Sequence, residues 1–233
     1  MSGRIFFCGD VHGDFGPVME VVRSHRPAAI VFLGDLEPAQ PLERVLAPIL
    51  DLTEVWWIPG NHDTDSERSH DHLFGSALAQ RNLHGRVVSI DGIRVAGLGG
   101  VFRGQVWMPP GPARFASRAD FLAQAGQGNR WRGGLPRRHR SSLFPEDCAR
   151  LGNARADILV THEAPSGHPH GFAAIDDVAR LLQAGTVFHG HHHRAHDYAA
   201  HRARMGFEAH GVGLRGIVDR AGQVIAPGVL DLD

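Results

Sequence analysis

The chain has 233 residues, 42% hydrophobic and 21% charged, a globular balance that excludes disorder and fits one domain. Lys plus Arg (24) nearly equals Asp plus Glu (25), so net charge names no acidic or basic partner. Every one of those cations is arginine, which excludes chemistry built on a P-loop, Schiff-base or kinase lysine. Histidine, at 17 residues, is the unusual component and the commonest transition-metal ligand. Cys8 and Cys148 are too few for a disulfide framework. No stretch reaches the ~18 apolar residues of a membrane span, and Ile5-Phe6-Phe7 follows Met1 too closely to leave room for a leader. A cytoplasmic protein without membrane contact is expected.

Three short apolar runs open the chain: Ile5 to Cys8, Ala29 to Leu33 and Val55 to Ile58. Each ends at a polar, glycine-containing turn: Gly9-Asp10, Gly34-Asp35 and Gly60-Asn61. Helical periodicity fills the gaps, around Val18 to Arg26 and Leu42 to Leu50, which predicts βαβ units with parallel pairing. Next come Arg86 to Ile90 and Ile93 to Leu98, joined by Asp91-Gly92, a hairpin signal. From about residue 99 to 142 the pattern dissolves into a basic, Gly- and Pro-rich insertion with one short helix near Ala116 to Ala125. It carries eight arginines (Arg103, Arg114, Arg118, Arg130, Arg132, Arg137, Arg138, Arg140) against one acid, Asp120. A strand at Asp157 to Val160, a helix over Ala174 to Ala184 and a strand at Thr186 to His189 follow. The tail from Gly206 to Val229 alternates apolar runs with glycine turns and reads as antiparallel strands of a second sheet. No repeat divides the chain, so residues 1–233 are expected to form one domain.

In parallel sheets, ligands bind outside the carboxyl ends of the strands. The residues at those ends are Asp10, His12, Asp35, Asn61, His62, Asp63, His162, His191 and His193. Carboxylates, a carboxamide and imidazoles suit Mn, Fe, Zn or Ni, and a two-metal site needs a bridging carboxylate with several terminal ligands. Each residue alone also has a plainer role. Asp10 and Asp35 could cap helices, Asn61 could shape a turn, and His12 could be an ordinary satisfied polar residue. Asp14 reads as a helix cap. His189 reads as a core histidine, and His192 as pointing away from its neighbours. Thr161, Glu163 and Asp197 are candidate supports for ligands. The remaining histidines read as surface residues, with His170 and His196 near the cleft.

Taken together, Asp10-Val11-His12, Gly34-Asp35, Gly60-Asn61-His62-Asp63, His162 and Gly190-His191-His192-His193 resemble the calcineurin-like metallophosphoesterase superfamily in order and spacing. The resemblance implies an α/β sandwich of two mixed β-sheets flanked by helices. It also implies two divalent metal ions, manganese first, with Fe, Zn or Ni as other choices. The first would be held by Asp10, His12, Asp35 and His193, and the second by Asp35, Asn61, His162 and His191, so that Asp35 bridges. His62 would face the substrate as general acid, with Asp63 orienting its ring. The implied reaction is hydrolysis of a phosphodiester or phosphomonoester by metal-bound hydroxide.

The pattern departs at one place. The superfamily's protein Ser/Thr phosphatases and diadenosine-tetraphosphate hydrolases share the opening Gly9-Asp10-Val11-His12-Gly13 but follow the second motif with an Asp-Arg pair. Here that position reads Leu36-Glu37-Pro38-Ala39, and the closing Gly190-His191-His192-His193 resembles the phosphodiesterase and nuclease branches. A Ser/Thr protein phosphatase or a dinucleoside-polyphosphate hydrolase is therefore the second reading. A non-catalytic scaffold is the third, disfavoured because His62 and every ligand position are kept. Arginine binds phosphate bidentately, and Arg103 is the candidate to replace the missing one. The run Arg130-Trp131-Arg132 suits a base and phosphates, although in a chain without lysine an arginine-rich solvated loop is the plainer reading. The expected partner is a small phosphate ester or nucleotide, with a phosphoprotein or short oligonucleotide also open. Sequence does not fix the oligomeric state.

Overall fold

The computed structural model describes residues 5–152 and 154–232. The strands are β1 (Ile5–Cys8), β2 (Ala29–Phe32), β3 (Glu54–Trp57), β4 (Arg86–Ile90), β5 (Ile93–Leu98), β6 (Ile158–Thr161), β7 (Thr186–His189), β8 (Glu208–Gly211), β9 (Ile217–Asp219) and β10 (Val224–Ala226). The helices are α1 (Gly16–His25), α2 (Leu42–Val45), α3 (Glu67–Phe74), α4 (Arg118–Gln124), α5 (Pro145–Leu151), α6 (Ala173–Leu182) and α7 (Arg202–Met205). They build two five-stranded sheets, β10-β9-β1-β2-β3 and β4-β5-β6-β7-β8. β1, β2 and β3 run parallel, as do β5 through β8. The mixed sandwich flanked by helices is therefore observed.

Period-two alternation explains how the layers meet. On β1, Ile5 and Phe7 face the opposite sheet and join Val160 and Phe188 in the central core, where Phe7 stacks on Phe188 with centroids 3.8 Å apart. Phe6 and Cys8 point the other way, into the layer that holds Val18 and Val22 of α1. The second sheet does the same with Leu159 and Val187 against α6. Among the described residues, no helix is long and apolar enough to cross a membrane.

Several expectations need correction. The periodic stretch from Leu42 to Leu50 does not form one helix. α2 stops after one turn, and a separate 3-10 turn, Ala47–Ile49, contains Pro48, which cannot donate within a helix interior. α3 lies outside the expected elements because Leu73 and Phe74 are its only large apolar residues; it is started by Ser66, whose hydroxyl accepts the Ser69 N–H. The tail does not form a sheet of its own. β8 adds to the second sheet in parallel with β7 after a crossover through α7, while β9 and β10 join the first sheet antiparallel beside β1. The insertion folds around Val106, Leu135 and Phe144, with Trp107, Phe115, Phe121 and Leu122 packed on them.

Candidate metal centre

The turns after β1, β2, β3, β6 and β7 open at the same end of the sandwich, so residues far apart in sequence meet there. Five of the ten non-glycine residues with left-handed φ among the described residues are His12, Asp35, Glu37, His191 and His193. That backbone conformation is uncommon for side-chain-bearing residues and concentrates where side chains must be aimed. Close approach also demands glycine: a Cβ on Gly60 would run into the Asp35 carboxylate, and one on Gly190 into that of Asp10.

Asp10, His12, Asp35 and His193 each bring a ligand atom within 4.8 Å of the others, and Asp35, His162 and His191 do the same. Asp35 belongs to both groups. Asn61 joins the second, its Oδ1 lying 3.1 Å from His162 Nε2. Backbone donors hold the acids in place: the His191 N–H donates to Asp10 Oδ2 and the His62 N–H to Asp35 Oδ1, each at 2.8 Å.

The donors converge as a cation would require. Asp10 Oδ1 is buried with no hydrogen-bond partner among the described residues. His162 Nδ1 donates to the Leu33 carbonyl at 2.8 Å, so Nε2 turns its lone pair toward Asp35 Oδ2 at 3.3 Å and Asn61 Oδ1. His12 Nδ1 donates to Glu37 at 2.6 Å, which leaves its Nε2 facing His193 Nε2 at 3.0 Å. Lone pairs crowded out of water need a proton or a metal among them, and this mix of oxygen and imidazole fits a divalent transition metal. Electrostatics agree. Burial disfavours a charged His162, yet the charges of Asp35 and Asp10 outweigh it and hold a proton on the ring well above the ordinary histidine range. Burial likewise opposes ionisation of Asp35, and His162 outweighs it in turn, holding Asp35 below the usual carboxylate range.

His62 lies at the rim, half-exposed. Its Nδ1 is paired with Asp65 at 2.6 Å, and not with Asp63 as the sequence suggested. The Asp63 carboxylate is buried and already taken: it accepts backbone N–H groups from Leu36, Glu37 and Gly60 at 2.8–3.0 Å. It therefore fixes the two turns that carry Asp35 and Asn61, and does not orient the imidazole. Burial and the nearby Asp35 push its carboxyl up to about 6. Arg103 is part-buried, with its guanidinium bonded to the hydroxyls of Ser141 and Ser142 at 3.3 and 3.1 Å.

Of the candidate supports, Glu163 accepts the Phe102 N–H, and its other oxygen lies 3.9 Å from His191 Nε2. Thr161 donates to the Glu163 carbonyl, while Asp197 is exposed and accepts the Ala199 N–H. Asp14 accepts the N–H of Gly16, the first residue of α1. His189 is fully buried against Tyr198 (2.6 Å), and His192 stacks on His168 with centroids 3.9 Å apart. His70 is not a surface residue: it is buried between Phe74 and Trp131. Sequence reasoning missed Glu37 and Asp65. It did offer a signal for Asp65, since positions i and i+3 meet on a helical turn.

A family profile described as calcineurin-like phosphoesterase matches residues 3–195. An uncharacterised protein of Haemophilus influenzae is 41% identical over 221 residues, covering 95% of this chain and 96% of that one. The crystal structure of TT1561 of Thermus thermophilus superposes with a TM-score of 0.59 at 16% identity, covering 98% of this chain and 100% of that one. This last similarity speaks for the fold alone. Since the profile spans most of the chain, the chain, whose candidate ligands gather at one site, belongs to the calcineurin-like phosphoesterase family.

Proposed function

We propose that this protein hydrolyses phosphodiester or phosphomonoester bonds with two divalent cations, manganese being the first choice. One cation would be held by Asp10, His12, Asp35 and His193, and the other by Asp35, Asn61, His162 and His191. The observation that carries this reading is the membership of Asp35 in both ligand groups, because a two-metal site needs one shared carboxylate. When bound, the cations supply charge neutralisation for the phosphate and acidity for a bound water.

The chain's own residues do the rest. Asp63 and the backbone donors around Asp10 and Asp35 hold the ligand turns rigid. Asp65, paired with His62 Nδ1, leaves Nε2 to carry a proton toward the leaving-group oxygen. Arg103, which feels the charge of Asp35, would offer its guanidinium to a phosphate oxygen approaching from the insertion side.

The test strips the protein with chelator, reloads it with Mn²⁺, Zn²⁺ or Ni²⁺ and assays bis-p-nitrophenyl phosphate beside p-nitrophenyl phosphate. Turnover should return with metal, and the ratio of the two rates assigns diester or monoester preference. Replacing Asp35 with alanine should empty or scramble both metal positions by elemental analysis. Turnover indifferent to chelation, or full metal occupancy in Asp35→Ala, would refute the proposal.

A further inference from the structure

Within the insertion lies a cleft of about 830 Å³, inside the range of about 300–1,000 Å³ common to small-ligand sites. Four arginines line it and no carboxylate does, in a chain whose acids and cations balance. Two of the four are occupied. Arg130 donates to the carbonyls of Leu122 and Ala125, and Arg137 to those of Thr64 and Asp65. The other two, Arg114 and Arg138, are exposed, and their guanidiniums make no hydrogen bond or ion pair with any described residue. Both line a cleft without a carboxylate, and a guanidinium offers a phosphate two parallel donors.

The cleft is more than a charge trap. Phe121 packs edge-on to Phe115 with centroids 4.9 Å apart and lies 5.1 Å from the His139 ring. These three form an aromatic wall that a bare ion would not use. Trp131 also lines the cleft but is already engaged: the guanidinium carbons of Arg132 and Arg140 lie 4.3 and 4.8 Å from its centroid, and the His70 ring stands at 83° to it. The occupant that satisfies both halves carries an anion and a flat ring together.

The cleft also adjoins the metal-ligand turns. Its wall from Arg137 to His139 belongs to a 3-10 turn, Arg137–Ser141, packed on the turn His62–Thr64 through Thr64 Oγ1 and Ser141 Oγ at 2.7 Å. Arg103 lies between the two regions, close enough to feel both Arg138 and Asp35.

We infer that this cleft is the subsite for the part of the substrate that is not cut, a nucleotide, with its base on the Phe115, Phe121 and His139 wall and its phosphates on Arg114 and Arg138. The inference rests on the phosphoesterase reading, since it takes the scissile phosphate to lie beside Asp35 and His62. The test titrates ADP, and separately pyrophosphate, into chelator-treated protein by calorimetry. Three chains are compared: the unmodified protein, the double variant Arg114→Ala with Arg138→Ala, and a charge-matched control, Arg23→Ala with Arg220→Ala, whose residues do not line the cleft. ADP should bind the unmodified protein and the control alike and the double variant about tenfold or more weaker, because charge-assisted bonds are lost. Pyrophosphate, without a ring, should bind the unmodified protein at least about tenfold more weakly than ADP. Equal ADP affinity in the double variant, or pyrophosphate binding as tightly as ADP, overturns the subsite. Metal-reloaded unmodified protein is assayed on bis-p-nitrophenyl phosphate in parallel. Turnover without arginine-dependent ADP binding rejects the subsite alone. Arginine-dependent binding without turnover rejects the phosphoesterase reading on which the subsite's role depends.

Discussion

The strand-end turns and the insertion both hold charged side chains in place, by different means. At the strand ends, backbone N–H groups grip the carboxylates: Asp10, Asp35 and Asp63 together accept five such bonds, from His191, His62, Leu36, Glu37 and Gly60. In the insertion, side chains grip side chains: Arg132 reaches Glu67 and Asp71 on α3, and Arg118 reaches Glu146 and Asp147 on α5. A backbone grip fixes a ligand and its turn as one unit, which is what a reacting centre needs. The Arg132 pairs join exposed groups and are weak and replaceable, whereas Arg118 anchors its end of the insertion on the buried Asp147.

If that contrast holds, variants in the two regions should fail differently. The largest effect is expected from His62→Ala, which should lower turnover roughly 10²–10⁴-fold with metal content unchanged, because the imidazole belongs to neither ligand group. Elemental analysis beside steady-state kinetics checks it, and a large loss of metal would assign His62 a ligating role instead. Glu37→Gln comes next. Glu37 fixes the ring of His12 from behind, so metal affinity should fall about 10–100-fold when measured by competition with a chromophoric chelator. An unchanged affinity would make the His12–Glu37 pair incidental.

Much of this was legible in the sequence. The candidate ligands follow from polar residues at the ends of apolar runs, because a parallel sheet presents those ends together, while their division into two groups comes from the family resemblance. The sandwich core follows from the unbroken apolar runs of β1, β2 and β6, which are buried on both faces. Less legible was which acid serves which imidazole. Asp63 follows His62 directly, but neighbours in a 3-10 turn point in different directions, and Asp65 one turn on is the residue within reach. Glu37 lies in the stretch Leu36-Glu37-Pro38-Ala39, and nothing in its spacing says that it returns to His12. The insertion was opaque for another reason. Its organisation comes from cation-π contacts, ion pairs to distant helices and a cluster built on Val106, Leu135 and Phe144, none of which has a period.

The smallest expected effect lies in the insertion's anchor and tests the other side of the contrast. Asp147 is fully buried, accepts the Phe144 N–H, and meets Arg118 at 2.6 Å and His84 at 3.2 Å. Burial raises its carboxyl, but the bonds and charges of His84 and Arg118 outweigh burial and hold it below the usual carboxylate range. A group depressed in the folded state is protonated first in the unfolded chain, so its stabilisation is full above ~4, the unfolded value, and is lost as pH falls toward the folded one. Asp147→Asn should therefore cost about 1–3 kcal/mol near neutrality, read as a lower urea midpoint, and the gap from the unmodified protein should narrow in acid. A gap that stays constant from neutrality to the onset of acid unfolding would mean that packing, and not charge, anchors the insertion. The turnover of bis-p-nitrophenyl phosphate should change far less than stability does, because Asp147 touches neither ligand group, and that dissociation is what the backbone-held centre predicts.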